Sequence, residues 1–370
     1  MRIAFISPFP PLKGGIARFS SLLDAALRRF GDDVISLPFR ALYPGFIAHG
    51  VTSPLPDDAR LVLFNPFSWI GAVRQIKSQN PDILLVAYWT GFLAPLLFVL
   101  RRFTGIRMVV LLHNLSSHES FFFEPFLQRL LAASADGVLT LSGPVSEQVH
   151  AAFPSLPLCT LFHPVYEPEG EIPSVQEARR ALNLEPSSPA LLFFGYVRHY
   201  KGVDMLLRAM PEILLREPSL RLVVAGHFYE DVSLYRQLVD QLGLGENVDL
   251  YPGYVSAERS ALYFASADAV VLPYRSATQS GVVQLAYGHG LPVIVTPVGA
   301  LPEMVRPGET GWVARDASPE GFAEAVGEFL DARERLPLMR PAIEAFRREF
   351  SWEAFAASAG SFLETIAAGR

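Results

Sequence analysis

Two cationic side chains lie close together on one short segment bounded by glycines. Arg198 and Lys201 both belong to GYVRHYKG, residues 195–202, directly before a helix-compatible stretch. Packing explains two cations at a helix start poorly, because burying a charge is costly. A diphosphate explains them well, since a guanidinium fork and an ammonium point charge can neutralise a leaving group. The segment therefore predicts a catalytic phosphate site that contains both residues.

A second segment offers backbone donors for the same kind of ligand. An apolar strand pattern at 269–272 is followed by a polar loop and then by a helix-compatible run. The amides of Ser280, Gly281 and Val282 would lie at the N-terminus of that helix, where the helix dipole favours an anion such as phosphate. Any α/β protein has such loops, so a purely structural role explains this segment equally well when it is taken alone.

Two loops in the first half carry residue types that suit a sugar phosphate. Gly14 and Gly15 precede the first long helix, and the missing side chains would let a phosphate approach the backbone. An ordinary strand-to-helix turn explains the pair equally well. His113 follows an apolar strand pattern and could donate a hydrogen bond to a sugar hydroxyl or move a proton, although a lone histidine is more often structural. His118 and Glu119 in the same loop could join it.

The elements that position these loops follow a regular alternation. Short apolar segments alternate with helix-compatible segments in both halves of the chain, as in parallel sheets that are covered on both faces. A proline-rich stretch at 154–173 separates the halves, and we place the hinge at 164–174. The pattern predicts the α/β class, with two doubly wound Rossmann-like domains at 1–165 and 175–345 whose strand ends face a central cleft.

Composition narrows the classes of ligand. The net charge of -6 at pH 7 argues against a nucleic-acid partner, which would need a broad basic face. The single cysteine, Cys159, excludes an intramolecular disulfide and a cysteine metal cluster, and a cytoplasmic location is the simplest expectation. The sequence has no HExxH, no Walker A and no acidic DxD-type metal pair at a strand end, so we expect no metal or other cofactor to be required. The missing GxGxxG argues against a nicotinamide cofactor.

One stretch of the first half raises the question of membrane contact. The apolar run at 90–100 is too short to span a bilayer, but it precedes several arginines. With nearby phenylalanines it could form a face that rests on anionic lipid; a core helix with an exposed end is the alternative that we favour. The candidate residues are Arg101, Arg102, Arg107, Phe121, Phe122, Phe123 and Phe126.

Taken together, these motifs resemble those of the family-4 retaining glycosyltransferases, which have the GT-B fold. The resemblance covers nearly the whole chain. It depends on Gly14-Gly15, on His113, on GYVRHYKGVDMLLRA and most specifically on SADAVVLPYRSATQSGVVQLAYGHGLPVIVTPVGALPEMV. It implies transfer of a sugar from a nucleotide-diphosphate-sugar, with retention at the anomeric carbon.

The resemblance also implies the partners and the location. The acceptor would be a glycan or a lipid-linked molecule in surface polysaccharide or glycolipid synthesis. The enzyme would be cytoplasmic, or peripheral on the inner face of the plasma membrane through its first domain. The C-terminal helix, 352–370, would pack on that first domain, and the second domain would bind the donor, with the nucleotide base near Gly253 to Val255.

The sequence departs from the family pattern at the donor site. The family has two glutamates eight positions apart, and the matching positions here are Ala277 and Leu285. Gln279 or Gln284 could supply a replacement hydrogen bond to the ribose or the sugar. The usual Gly-Arg pair is also displaced, because the arginine comes at Arg198.

Two alternatives remain open at this point. A nucleotide-sugar 2-epimerase on the same fold would act without an acceptor, although the missing glutamates make it less suitable. A non-catalytic homologue that binds nucleotide-sugar is favoured by the missing glutamates and disfavoured by the Arg198 and Lys201 pair. The sequence does not specify the sugar, the base, the acceptor, the linkage or the oligomeric state.

Overall fold

The structure, a computed structural model, describes residues 1–12, 14–42, 61–115 and 123–369. The chain forms two compact units, one made of Met1–Phe162 with Ser351–Arg370 and the other of His163–Phe350. Among the described residues, no helix combines the length and the hydropathy that a membrane span requires.

The first unit is built on a parallel seven-stranded sheet. Its strand order is β3-β2-β1-β4-β5-β6-β7. The central strand β1 pairs with β2 on one side and with β4 on the other, so the winding of the chain reverses there. Such a reversal places a ligand crevice at the carboxyl ends of the strands. The strands are β1 (Arg2–Ser7), β2 (Asp33–Ala41), β3 (Leu61–Val62), β4 (Ile83–Tyr88), β5 (Met108–Leu112), β6 (Gly137–Thr140) and β7 (Leu158–Thr160).

Five helices of the first unit connect these strands. They are α1 (Gly15–Arg29), α2 (Pro66–Gln79), α3 (Ala94–Thr104), α4 (Glu124–Ser134) and α5 (Gly143–Ala152). Helices α2 to α5 share one apolar core with the sheet, in which Ile76, Leu97, Leu131 and Val149 are buried. This common core places the four helices on the same face of the sheet.

The second unit repeats the architecture with six parallel strands in the order β10-β9-β8-β11-β12-β13. The strands are β8 (Ala190–Phe194), β9 (Arg221–Gly226), β10 (Val248–Pro252), β11 (Ala269–Leu272), β12 (Val293–Val295) and β13 (Gly311–Val313). The helices are α6 (Val175–Ala181), α7 (Val203–Arg216), α8 (Val232–Gln241), α9 (Ala257–Ser266), α10 (Gly281–Gly288), α11 (Pro319–Ala332) and α12 (Leu336–Glu349). The winding reverses between β8 and β11.

The last helix, α13 (Trp352–Ala368), belongs to the first unit and packs on α1. The ring of Phe19 on α1 lies 4.9 Å from Trp352 and 5.7 Å from Phe355, both edge to face. Aromatic pairs at this spacing add to the free energy of burial.

The prediction of two doubly wound α/β domains is confirmed by the two parallel sheets. Helices α5, α6 and α12 were not predicted. For α6 a signal was present, because Ser174 and Glu177 form a capping box at its first turn. For α12, Pro341 inside the helix masks the helical pattern.

Candidate functional site

The carboxyl edge of the second sheet has a glycine shelf, made of Gly195, Gly226 and Gly253 at the ends of β8, β9 and β10. The Gly195 amide donates to the Ala225 carbonyl at 3.0 Å, and the Gly253 amide donates to the Gly226 carbonyl at 2.9 Å. A Cβ on Gly226 would lie 1.6 Å from the Gly195 oxygen, so the two backbones touch. The shelf leaves three strand ends free of side chains, and a ligand can approach the backbone.

The loop that carries Arg198 and Lys201 contacts the loop that follows β11, at the point where the winding of the second sheet reverses. Gly202 has a φ of +67°, and a Cβ there would lie 1.9 Å from the Pro273 carbonyl oxygen. Arg275 donates its amide to the Tyr200 carbonyl at 2.7 Å, and its guanidinium binds the Asp204 carboxylate through two contacts of 2.7 Å. These contacts fix the position from which Lys201 extends.

Lys201 is the centre of a polar array in front of α10. Its ammonium donates to the Tyr274 hydroxyl at 3.0 Å, and that hydroxyl lies 3.3 Å from the Ser280 hydroxyl. Burial opposes the charge of Lys201, but the Tyr274 hydroxyl outweighs that effect and the pKa of Lys201 lies above its usual value. The ammonium is therefore charged at neutral pH and points to the N-terminal end of a helix.

The start of α10 differs in one respect from the sequence prediction. Ser280 is the N-cap, and its hydroxyl accepts the Val282 amide at 3.3 Å. The Val282 amide is thus satisfied within the protein, because capping competes with a ligand for the same donor. Among the described residues, the amides of Ser280 and Gly281 make no hydrogen bond, so two of the three predicted donors stay available.

Arg198, which is on the same loop as Lys201, is exposed. Its guanidinium stacks 3.9 Å above the centre of the Tyr229 ring. Cation–π stacking of this kind orients a guanidinium without neutralising it. Arg198 therefore keeps its charge for a ligand, while its direction is set by an aromatic neighbour.

The sequence prediction missed a group of aromatic residues beside the shelf. Tyr196 lies 5.4 Å from Tyr229 and 6.2 Å from His227, measured between ring centres. Tyr254, next to Gly253, is 72% exposed. The signal was present in the sequence, because each glycine of the shelf is followed directly by an aromatic residue: Tyr196, His227 and Tyr254. Exposed rings beside a side-chain-free shelf can stack on a planar ligand.

His163 was also missed, because it lies in the proline-rich stretch that we interpreted as a break between the two halves. It is buried, and its Nε2 would lie 3.9 Å from a Cβ on Gly281 at the start of α10. Burial lowers the pKa of His163 from 6.5 to about 4, so the imidazole is neutral at pH 7. A neutral imidazole at this position can accept or donate a hydrogen bond without adding charge.

This lowered pKa predicts a loss of stability in acid. The unfolded state binds a proton on His163 near pH 6.5 and the folded state only near pH 4, so stability falls as the pH drops through that window. The full contribution to the free energy of unfolding is about 3 to 4 kcal/mol, at roughly 1.4 kcal/mol per pKa unit. Denaturant titrations between pH 7 and 4 should show a flatter dependence in His163→Gln. The exposed His150→Gln is the control, and equal slopes in the His163 variant and the parent would contradict the assignment.

The two predicted glutamine substitutes have different surroundings. The Oε1 atom of Gln279 is buried in the loop before α10 and accepts no hydrogen bond from the described residues, so it suits a ligand hydroxyl. Gln284 is only 1% exposed, and its amide points at the Met304 sulfur, 3.7 Å away. Gln284 is therefore held in the interior of the second unit, but its Oε1 is also buried and accepts no hydrogen bond from the described residues, so its role as a ligand contact stays a prediction. Helical periodicity alone could not decide which face of α10 it occupies.

Three further positions that were predicted to matter in the second unit hold apolar residues. Val255 and Leu285 pack partly buried against the core. The Ala277 carbonyl lies so close to Gly299 that a Cβ there would approach to 1.6 Å, which fixes the loop that carries Gln279.

The predicted residues of the first unit lie at the carboxyl edge of its own sheet. Gly14 is the N-cap of α1 with a φ of +132°, and no atom comes within 4 Å of a Cβ built on Gly14 or Gly15. Packing therefore does not require Gly15. His113 is 6% exposed, and its ring lies 5.1 Å from the ring of Phe19, edge to face. His118, Glu119, Phe121 and Phe122 lie outside the described residues.

Two family models match most of the chain between them. The model "Glycosyltransferase Family 4" matches residues 13–161, and the model "Glycosyl transferases group 1" matches residues 188–332. The first match lies in the first unit and the second match in the second unit.

Similar curated proteins are about one third identical to this chain over the region that aligns. A D-inositol 3-phosphate glycosyltransferase of Streptomyces griseus is 35% identical over 207 residues, which cover 54% of this chain and 43% of that protein. A D-inositol 3-phosphate glycosyltransferase 1 of Catenulispora acidiphila is 33% identical over 229 residues, which cover 60% of this chain and 52% of that protein. The chain spans about half the length of these relatives.

Solved structures match over the whole chain at low identity. Sucrose-phosphate synthase from Thermosynechococcus elongatus has a TM-score of 0.75 at 22% identity and covers 100% of both chains. HepE of Anabaena, solved with UDP-glucose, has a TM-score of 0.74 at 16% identity and covers 98% of this chain and 100% of its own. The two sheets and the two family matches agree, and the chain belongs to the group 1 and family 4 glycosyltransferases and has their GT-B fold.

Proposed function

We propose that the protein is a retaining glycosyltransferase that moves a sugar from a nucleotide-diphosphate-sugar to a glycan or lipid-linked acceptor. One observation carries the proposal: the ammonium of Lys201, the hydroxyls of Tyr274 and Ser280, and the free amides at the start of α10 form one anion-binding array. A charged ammonium beside a helix N-terminus suits a phosphate that gains negative charge during the reaction.

The chemical step then follows from this array. The bond between the anomeric carbon and the phosphate oxygen breaks, and its electron pair leaves with the diphosphate. Lys201 and Arg198 stabilise the charge that develops, which is why we propose that no metal is required. The acceptor oxygen bonds to the anomeric carbon, and its proton passes to the departing diphosphate. His113, from the first unit, would contact the donor sugar, with Gly14 and Gly15 beside the phosphates.

The nucleoside part of the donor has a candidate location beside the glycine shelf. We propose that the base stacks among Tyr196, Tyr229 and Tyr254, close to the predicted region of Gly253 and Val255. A flat base gains from an aromatic platform whatever its identity. The UDP-glucose bound by HepE makes UDP-sugars the first donors to test.

The acceptor is proposed from the family and not from the site. We propose a role in surface polysaccharide or glycolipid synthesis at the cytoplasmic face of a membrane. The names of the curated relatives add inositol 3-phosphate to the acceptors that a panel should contain.

Arg198→Ala should lower turnover by about tenfold or more, because one charge-assisted contact to the leaving group is lost, worth about 1.5 to 3 kcal/mol. Tyr229→Phe keeps the ring under the guanidinium and should leave turnover near that of the parent. Tyr229→Leu removes the ring and should reduce turnover in the direction of Arg198→Ala. Steady-state kinetics with the preferred donor measure all three, and an unchanged Arg198→Ala would remove Arg198 from the site.

The function is tested by a thermal-shift screen of UDP, GDP, ADP and their sugars, in EDTA and in magnesium. A ligand that binds only the folded state raises the unfolding midpoint with the logarithm of its concentration. We expect a shift with one nucleoside diphosphate that is equal in both buffers. A shift that requires magnesium would contradict the metal-independent site.

A non-catalytic nucleotide-sugar-binding protein is the second candidate, and one observation favours it. The positions of the two family glutamates hold Ala277 and Leu285, which carry no carboxylate. Incubation of the bound donor with an acceptor panel separates the candidates, because an enzyme releases nucleoside diphosphate and a binding protein does not. An epimerised donor in the absence of any acceptor would instead indicate the 2-epimerase.

A further inference from the structure

The exposed phenylalanines of this protein are concentrated in one part of the first unit. Of eight exposed phenylalanines among the described residues, seven lie between positions 64 and 126. Phe67 and Phe126 are the most exposed of these, at 84% and 62%. Single exposed apolar residues are ordinary, but a concentration of large rings indicates a surface that meets another apolar phase. The seven are Phe64, Phe67, Phe92, Phe98, Phe103, Phe123 and Phe126.

Four of these rings lie on three neighbouring helices, and the other three lie just before those helices. Helices α2, α3 and α4 bury their inner residues in one core on one face of the sheet, and they pack side by side. Their outer residues, including Phe67 on α2, Phe98 on α3 and Phe126 on α4, are therefore exposed on the same side of the unit. We call this surface the α2–α4 face.

A line of rings joins the N-terminal ends of the three helices. The ring of Phe92 lies 5.7 Å from that of Phe64 and 6.1 Å from that of Phe123. Phe64 precedes α2, Phe92 precedes α3 and Phe123 precedes α4. The apolar part of the α2–α4 face thus continues to the carboxyl edge of the first sheet.

The same face is strongly basic in an acidic protein. The three helices carry five basic residues and one acidic residue, Glu124, which gives a net charge of +4, whereas the whole chain has -6. Arg101 is paired with Asp136. No acidic side chain of the described residues forms an ion pair with the other four basic residues, which are all exposed: Arg74, Lys77, Arg102 and Arg129.

The cations follow exposed apolar residues at helical spacing. Arg74 comes four residues after Ile70 on α2, Arg102 comes four after Phe98 on α3, and Arg129 comes three after Phe126 on α4. Residues three or four apart share one side of a helix. A cavity of about 310 Å³, lined in part by Phe98, Arg102 and Ser134, lies between the ends of α3 and α4.

We propose that the α2–α4 face docks the protein on an anionic lipid bilayer. The rings would enter the boundary between headgroups and acyl chains, and the cations would bind lipid phosphates, as in other interfacial basic and aromatic surfaces. A second copy of the chain is a poor occupant, because a two-fold interface would set four unpaired cations against the same four. Binding to lipid requires no sugar donor. The docking proposal can therefore fail while the proposed function holds, and the proposed function can fail while the docking proposal holds.

Vesicle co-sedimentation without nucleotide tests the proposal. We expect the full chain to bind phosphatidylcholine vesicles that contain phosphatidylglycerol, to bind pure phosphatidylcholine far less, and to dissociate as salt rises. Each cation near such a surface contributes about fivefold, so Arg74→Glu/Arg102→Glu/Arg129→Glu should lower partitioning at least about a hundredfold. Phe67→Ser/Phe98→Ser/Phe126→Ser should also reduce it, by about tenfold or more.

Matched controls come from the second unit. Arg208→Glu/Arg236→Glu/Arg340→Glu removes three exposed arginines there, and Leu215→Ser/Leu338→Ser removes residues that are 85% and 75% exposed. Both controls should bind vesicles like the parent, and thermal midpoints verify that all variants fold. The proposal is overturned if the parent does not bind anionic vesicles, or if both α2–α4 variants bind them like the parent. Equal losses in the controls, or dimerisation through the α2–α4 face, would also overturn it.

Discussion

Replacing Lys201 by methionine should reduce turnover by about tenfold to 150-fold, with a matching loss of affinity for nucleoside diphosphate. Methionine keeps the length and the apolar stem but removes the ammonium. The lost charge-assisted contact to phosphate is worth about 1.5 to 3 kcal/mol. The effect should exceed that of Arg198→Ala, because the Lys201 ammonium is held in place by the Tyr274 hydroxyl at 3.0 Å whereas the Arg198 guanidinium is exposed.

Two further variants sharpen this test. Tyr274→Phe leaves the ammonium but removes its partner, so donor affinity should fall by less than in Lys201→Met. Lys77→Met, on the exposed side of α2, removes an ammonium from the first unit and should leave donor affinity unchanged. If Lys201→Met binds nucleoside diphosphate as the parent does, the phosphate site is elsewhere.

Gly202→Ala should destabilise the second unit by about 2 to 5 kcal/mol and weaken donor binding. Alanine in the left-handed region costs about 1 to 2 kcal/mol. Its Cβ would also lie 1.9 Å from the Pro273 carbonyl oxygen, so the backbone must move. Overpacking of this kind costs about 1 to 3 kcal/mol more. Because Lys201 is the preceding residue, the shift would move the ammonium away from Tyr274 and Ser280.

Gly243→Ala separates the cost of the left-handed conformation from the cost of the contact with Pro273. Gly243 has a φ of +68°, close to the +67° of Gly202, but nothing lies within 4 Å of a Cβ there. It should therefore lose only the conformational part, about 1 to 2 kcal/mol, and keep its donor affinity. Denaturant unfolding measures the stability of both variants, and nucleotide titration measures their donor affinity. Equal destabilisation by both substitutions would show that the contact between the two loops is unimportant.

The fold was predictable because its signal is repeated. Apolar segments alternate with helix-compatible segments in both halves, and the strand Ala190–Phe194 followed by the helix Val203–Arg216 is an example. The end of β3 cannot be read from the pattern, because Leu63 and Phe64 continue the apolar run after Val62, the last residue paired with β2. Hydrophobic pattern alone does not reveal where a ladder of hydrogen bonds stops.

The kinds of residue that form the site were predictable from the sequence, but the contacts of each side chain were not. Arg198, Lys201 and Ser280 stand out because charge and polarity at the ends of strands are unusual. Gln284 could not be placed, since its side of α10 depends on the Met304 contact, which is distant in sequence. The capping of Val282 by Ser280 and the neutrality of His163 likewise depend on three-dimensional surroundings.

The central claim is that Lys201 and the start of α10 bind a diphosphate. Calorimetric titration in EDTA, with matched nucleoside mono- and diphosphates of each base, measures the contribution of the second phosphate directly. We predict a diphosphate that binds at least about tenfold more tightly than its monophosphate in the parent, and an advantage that is lost in Lys201→Met. Equal affinities for the mono- and diphosphate in the parent, or an advantage that persists without Lys201, would contradict the account.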